Sequence, residues 1–106
     1  MKERELIAKA KAELDNMGLW YWVAHKSPYY PQPDLFGLFD ICYLYLNDTA
    51  DDVLTGYIQV TTKSHLSHRR NKIVRAFEAK RLSIPSCVQV WAYDSEAARF
   101  IKETIT

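Results

Sequence analysis

"GLFDICYLYLNDTADDVLTGYIQVTTKSH", residues 37–65, holds two apolar runs joined by an acidic turn. The runs at 39–46 (FDICYLYL) and 54–63 (LTGYIQVTTK) are rich in aromatic and β-branched residues. The polar NDTADD at 47–52 separates them, so the stretch predicts a β-hairpin. Side chains alternate across a strand, which puts Gln59, Thr61 and Lys63 on one face and Ile58, Val60 and Thr62 on the other. Asp40 opens the first strand, and across a twisted hairpin it is expected to come close to Gln59 and Thr61. A carboxylate, an amide, a hydroxyl and an amine on neighbouring strands form the feature that the rest of the chain must explain.

Outward from the hairpin, residues 2–16 read as a helix. Leu6, Ile7, Ala10, Leu14 and Met17 recur at helical spacing, and Gly18 suits the left-handed position that ends it. LWYWVAHK (19–26) reads as a strand, and SPYYPQPD (27–34), with three prolines, as a loop. After the hairpin, Ser64 or Ser67 is expected to cap a helix running to about Arg81. Its buried side would hold Leu66, Ile73, Val74 and Phe77, with His68, Lys72 and Arg75 opposite. Pro85 breaks the connection before a strand at 86–93 (SCVQVWAY). Asp94 or Ser95 then caps a last helix whose apolar side carries Ala97, Ala98, Ile101 and Ile105. The order is α-β-β-β-α-β-α, which implies a mixed sheet flanked by helices in one α/β domain spanning residues 1–106.

Composition agrees with an ordinary globule: 48% hydrophobic and 25% charged residues, with three glycines and four prolines. No apolar stretch approaches the roughly 20 residues of a membrane span, and the charged N-terminal MKERELIAKAKAELD does not read as a secretory leader. A cytoplasmic protein with no membrane partner is therefore expected. Cys42 and Cys87 lack metal-binding spacing and read as buried reduced thiols. The net charge of +1 conceals an asymmetry. Residues 63–81 hold seven bases (Lys63, Arg69, Arg70, Lys72, Arg75, Lys80 and Arg81) against Glu78 alone, a net of +6 against −5 elsewhere. Such a field suits a phosphate backbone, or simply a solvated helix face.

The order of elements, with Asp40 in GLFDIC and Gln59-Val60-Thr61 on the following strand, resembles the PD-(D/E)XK nuclease superfamily of restriction enzymes, Holliday-junction resolvases and small phage nucleases. The resemblance covers roughly residues 2–93. It implies a restriction-endonuclease-like αβββαβ core, here with an extra C-terminal helix. Residue by residue, Asp40 matches the metal-binding Asp, Gln59 stands where the family has Glu, and Thr61 where it has Lys. Lys63, one strand period further on, would then supply the amine. Asp34 is a candidate accessory acid, and Glu3 or Glu13 of the first helix a candidate for the missing carboxylate.

The resemblance implies Mg²⁺ or Mn²⁺ held by Asp40 and Gln59. It also implies DNA, or less readily RNA, gripped through Arg69, Arg70, Lys72 and Arg75. A homodimer is in keeping with the family, although no residue of the sequence specifies one. Duller readings stand beside these. Asp40 would bond backbone amides of a neighbouring segment, Gln59 and Thr61 would face water, Lys63 would be a strand-end charge, and Arg70 would form a salt bridge. His65 and His68 lack a third ligand, and Tyr29 and Tyr30 either stack on bases or pack down their own loop. A metal-dependent nuclease is the leading expectation. A catalytically inactive nucleic-acid-binding module of the same fold, or a protein-interaction domain, is the alternative.

Overall fold

The computed structural model describes residues 1–24, 35–49 and 51–106. Helix α1 (Glu3–Asn16) leads into strands β1 (Trp20–Val23), β2 (Ile41–Leu46) and β3 (Val53–Thr62). A 3₁₀ turn (Lys63–His65) and helix α2 (Leu66–Ala79) follow, and then β4 (Val88–Asp94) and β5 (Arg99–Thr104). The five strands form one sheet in the order β1-β2-β3-β4-β5. All neighbours are antiparallel except β3 and β4, which run parallel. A parallel pair needs a long crossover, and α2 supplies it.

Each helix covers one sheet face. On α1, Leu6, Ala10 and Leu14 recur every four residues and are buried. They pack on Ile41, Ile58, Val60, Trp91, Tyr93 and Phe100. On the opposite face, Ile73 of α2, with Leu66, Val74 and Phe77 beside it, packs against Phe39, Val88, Val90 and Ile105. Strand alternation divides the two cores: Ile58 and Val60 go to α1, and Tyr57 goes to α2. Helix α1 stops where expected. Gly18 has φ +71°, its N–H bonds to Asp15 O, and Leu19 N–H reaches back to Leu14 O, a paired closure that uses the left-handed residue. Gly56 is required for another reason, because the Tyr43 ring lies where its Cβ would stand.

Several expectations need correction. No side chain caps α2: its first flanking residue is His65, while Ser64 Oγ lies 3.1 Å from Thr62 Oγ1. The α/β class and the α-β-β-β-α-β order are present, but the extra C-terminal helix is absent, and residues 99–104 are strand β5. The cause is the turn that precedes it. Asp94 Oδ1 accepts the N–H groups of Glu96 and Ala97, which reads equally as a helix cap, but Ala98 then adopts φ +53° and reverses the chain. The reversal lets residues 99–104 pair with β4, whose edge carries Trp91 and Tyr93. Covering that edge outweighs the helical spacing of Ala97, Ala98, Ile101 and Ile105. Phe100 and Ile105, five residues apart, are buried in the two different cores.

The thiols of Cys42 and Cys87 are free and half-buried rather than fully buried. No helix among the described residues is long and apolar enough to cross a membrane. The proline-rich stretch with Tyr29, Tyr30 and Asp34 lies outside the described residues.

Candidate functional site

Strand β2 begins at Ile41, paired with Ile58, so the hydrogen-bonding groups of β3 just beyond Ile58 lose their strand partner. Asp40 takes that place with its whole residue. Its N–H donates to Ile58 O at 2.9 Å, and its C=O accepts from Ala24 N–H at 2.8 Å. Its Oδ2 accepts the Val60 N–H at 2.7 Å and Gln59 Nε2 at 3.0 Å. Gln59 Nε2 also donates to Val60 O at 3.2 Å. Both partners of that nitrogen are acceptors, which settles which end of the amide faces Asp40. The hairpin thus brings Asp40 and Gln59, 19 residues apart, into direct contact. Asp40 is 5%, Gln59 5% and Thr61 6% exposed.

The expected amine is not part of this cluster. Strand β3 ends at Thr62, and Lys63 enters the 3₁₀ turn, where alternation of faces stops. The parallel register sets Thr62 beside Tyr93, so the next residue, Lys63, meets Asp94, with Nζ and Oδ2 3.5 Å apart. Thr61 sits opposite Ala92. Of the two acids proposed from the first helix, Glu13 pairs with Lys102 of β5 at 2.6 Å, two strands away from β3. Glu3 is exposed in the first turn of α1.

Asp94 has a depressed pKa. The Ala97 N–H lowers it most, and Lys63 and the Glu96 N–H add to this, against a smaller opposing effect of burial. A carboxyl whose folded pKa is depressed contributes stability above the ordinary carboxylate range and loses it as pH falls through the folded value. Asp94→Asn keeps an oxygen for the turn but removes the charge. The stability difference between wild type and this variant is therefore expected to be largest at neutral pH and to shrink in acid. Melting temperatures measured from neutral pH into strong acid check this, and parallel curves would exclude it.

The basic segment divides into two sets. The Arg70 guanidinium forms a two-pronged pair with Glu103 of β5, one prong at 2.7 Å, and this contact raises the pKa of Arg70 further. Arg70 is therefore a strut between α2 and β5, and Glu103 had been assigned to a helix that does not form. Lys63 is engaged by Asp94. Two of the seven bases thus face acids from outside the segment, which trims the field that the sequence suggests. Lys72 and Arg75 are exposed and pair with no acid among the described residues. Arg69 is half-buried, and its Nε is a buried nitrogen without a described partner, an arrangement rare in folded proteins unless water or an anion supplies one. His65 Nδ1 lies 2.8 Å from Thr62 Oγ1 and is tied into the turn.

No protein-family model matches the chain, and neither a curated protein nor a solved structure matches it.

Proposed function

We propose that the domain is a metal-dependent nuclease hydrolysing phosphodiester bonds in DNA, built on a PD-(D/E)XK-type core. The observation that carries this reading is the contact between Asp40 Oδ2 and Gln59 Nε2 in an αβββαβ framework, because it joins the two motif positions the family uses for its metal. A carboxylate and an amide oxygen are hard donors of the kind Mg²⁺ and Mn²⁺ accept, and Mg²⁺ is commonly held by one or two carboxylates with water completing its shell. Asp40 would hold the ion, and Gln59, whose amide nitrogen faces Asp40, would join it through its oxygen only once the amide turns over; affinity would be lower than for an Asp–Glu pair because one negative charge is missing. When bound, the metal polarises the phosphate and lowers the pKa of a bound water.

The chain's own residues do the rest. Val60 N–H and Gln59 Nε2 fix the orientation of the Asp40 carboxylate. Lys72 and Arg75 supply exposed charge for the phosphate backbone, and half-buried Arg69, which pairs with no acid among the described residues, adds to it. Lys63 is held at 3.5 Å by Asp94 while remaining 60% exposed, a loose pairing from which a phosphate can draw it.

A second reading, an inactive nucleic-acid-binding module, is favoured by the diversion of the lysine to Asp94, with no acid among the described residues standing in for the missing Glu. Incubation with branched, duplex and single-stranded DNA in Mg²⁺ or Mn²⁺ separates the two. Cleavage that a chelator stops is the expected result. Salt-sensitive binding without cleavage would leave the module. Neither cleavage nor binding would leave a protein-interaction domain.

A further inference from the structure

A cavity of about 420 Å³ lies between the C-terminal half of α2, the turn at 35–39 and the approach to β4. Buried Phe39 and Val88, with half-buried Tyr57 and Phe77, form its apolar walls, and exposed Phe36 and Leu82 stand at its mouth. Two left-handed residues shape that mouth. At the end of α2, Arg81 has φ +56°, its N–H bonds to Glu78 O, and Leu82 N–H reaches back to Phe77 O. This paired closure brings Leu82 to the cavity wall that Phe77 also lines. On the 35–39 turn, Phe36 also has φ +56°, followed by Gly37 at +70°, and Leu38 N–H closes the turn on Leu35 O. The Phe36 ring meets Tyr57 edge-on, centroids 6.3 Å apart, while the residue remains 78% exposed. Glycine takes this conformation freely, and a β-carbon makes it costly. Two such residues at one cavity match the backbone strain that clusters at ligand clamps.

We propose that this cavity binds a free aliphatic carboxylate of about eight to twelve carbons, its chain between the apolar walls and its carboxylate at Lys80. Volume sets the length. A methylene fills about as much space as a water, roughly 30 Å³, so the cavity takes about 14 heavy atoms. Charge sets the head group. Among the residues lining the cavity Lys80 alone is charged; it is exposed and pairs with no acid among the described residues. Arg81 follows it, and Glu78, the nearest acid in sequence, falls roughly 160° round the helix from Lys80. The carbonyls of Phe77 and Glu78, which would repel an anion at a helix end, are already bonded in the closure. The lining sets the tail. Apart from the amine, its side chains offer one polar atom, the Tyr57 hydroxyl. A nucleobase would leave its donors and acceptors unpaired there, whereas an alkyl chain has none to satisfy.

Isothermal titration calorimetry with octanoate tests the proposal, with octanol and octyltrimethylammonium as uncharged and cationic controls. Wild type is expected to bind octanoate with a Kd of about 100 μM, octanol about fivefold more weakly, and the cation not measurably. Lys80→Glu is expected to weaken octanoate about tenfold and to leave octanol unchanged. Ala76→Phe, which puts a ring into the cavity from α2, is expected to abolish binding of both at unchanged circular dichroism. Should that variant lose its fold, the contrast between octanoate and octanol in Lys80→Glu still decides. No octanoate binding by wild type at about 5 mM would overturn the proposal. So would an octanoate affinity that Lys80→Glu leaves unchanged. Capture by phosphatidylglycerol vesicles without binding of octanoate would overturn it in favour of a membrane surface. Failure of the nuclease reading leaves these outcomes untouched, because neither Lys80 nor Ala76 belongs to that site.

Discussion

Replacing Asp40 with alanine is expected to lower the unfolding free energy by about 3 kcal/mol and to abolish cleavage, whereas Asp40→Asn is expected to cost about 1 kcal/mol and abolish cleavage all the same. The stability loss follows from what the carboxylate holds. Oδ2 is the acceptor for the Val60 N–H at 2.7 Å and for Gln59 Nε2 at 3.0 Å, in a position 5% exposed. Alanine leaves a buried amide donor without its partner, at about 1–3 kcal/mol, and loses a charge-assisted bond to Gln59 as well. Asparagine keeps an oxygen for Val60 but carries no charge for a metal, so it separates the pin from the ligand. Urea denaturation measures the first effect, and single-turnover cleavage in Mn²⁺ the second. Should Asp40→Asn cleave at the wild-type rate, Asp40 is a pin and nothing more. Should Asp40→Ala unfold within about 0.5 kcal/mol of wild type, the bond network to β3 carries no weight.

The parts of this site that were legible in the sequence are those governed by local periodicity. Alternation along 54–63 put Gln59 and Thr61 on one face, and hairpin pairing put Asp40 near Gln59. Both follow from strand geometry over a short span. Helix α1 was legible for the same reason, down to Gly18 at its end. What failed depended on partners distant in the chain. Nothing near Lys63 announces that β3 stops one residue earlier. The end is set by the parallel register with β4, 31 residues on, where Asp94 waits. Residues 95–105 satisfy a helical pattern and a strand pattern equally well, and the bare edge of β4 decides between them. With residues 99–104 expected in a helix, Glu103 could not be placed beside Arg70, so the salt-bridge reading of Arg70 had no named acid. The exposure of Trp20 has no signature in the aromatic, β-branched composition of its strand. Burial depends on where α2 comes to rest, and strand composition does not reveal that.

That sorting of the basic residues carries the other large effect. Lys72→Glu together with Arg75→Glu is expected to weaken binding to duplex DNA by roughly 100-fold or more at low salt, and to flatten the slope of log K against log salt by about 2. Arg70→Ala is expected to leave that slope nearly unchanged, because its guanidinium is already neutralised by Glu103. Arg69→Ala falls with the first group, since Arg69 pairs with no acid among the described residues. The contrast matters more than any single value. All four side chains lie within seven residues of one helix, so a surface that attracted phosphate by net charge alone would respond to each of them alike. A slope that drops equally for Arg70→Ala and Lys72→Ala would mean that DNA draws Arg70 away from Glu103. The strut between α2 and β5 would then be a latch that nucleic acid opens. Unequal slopes would instead confine the phosphate path to the flank of α2 carrying Arg69, Lys72 and Arg75, with Glu103 holding the other flank to the sheet.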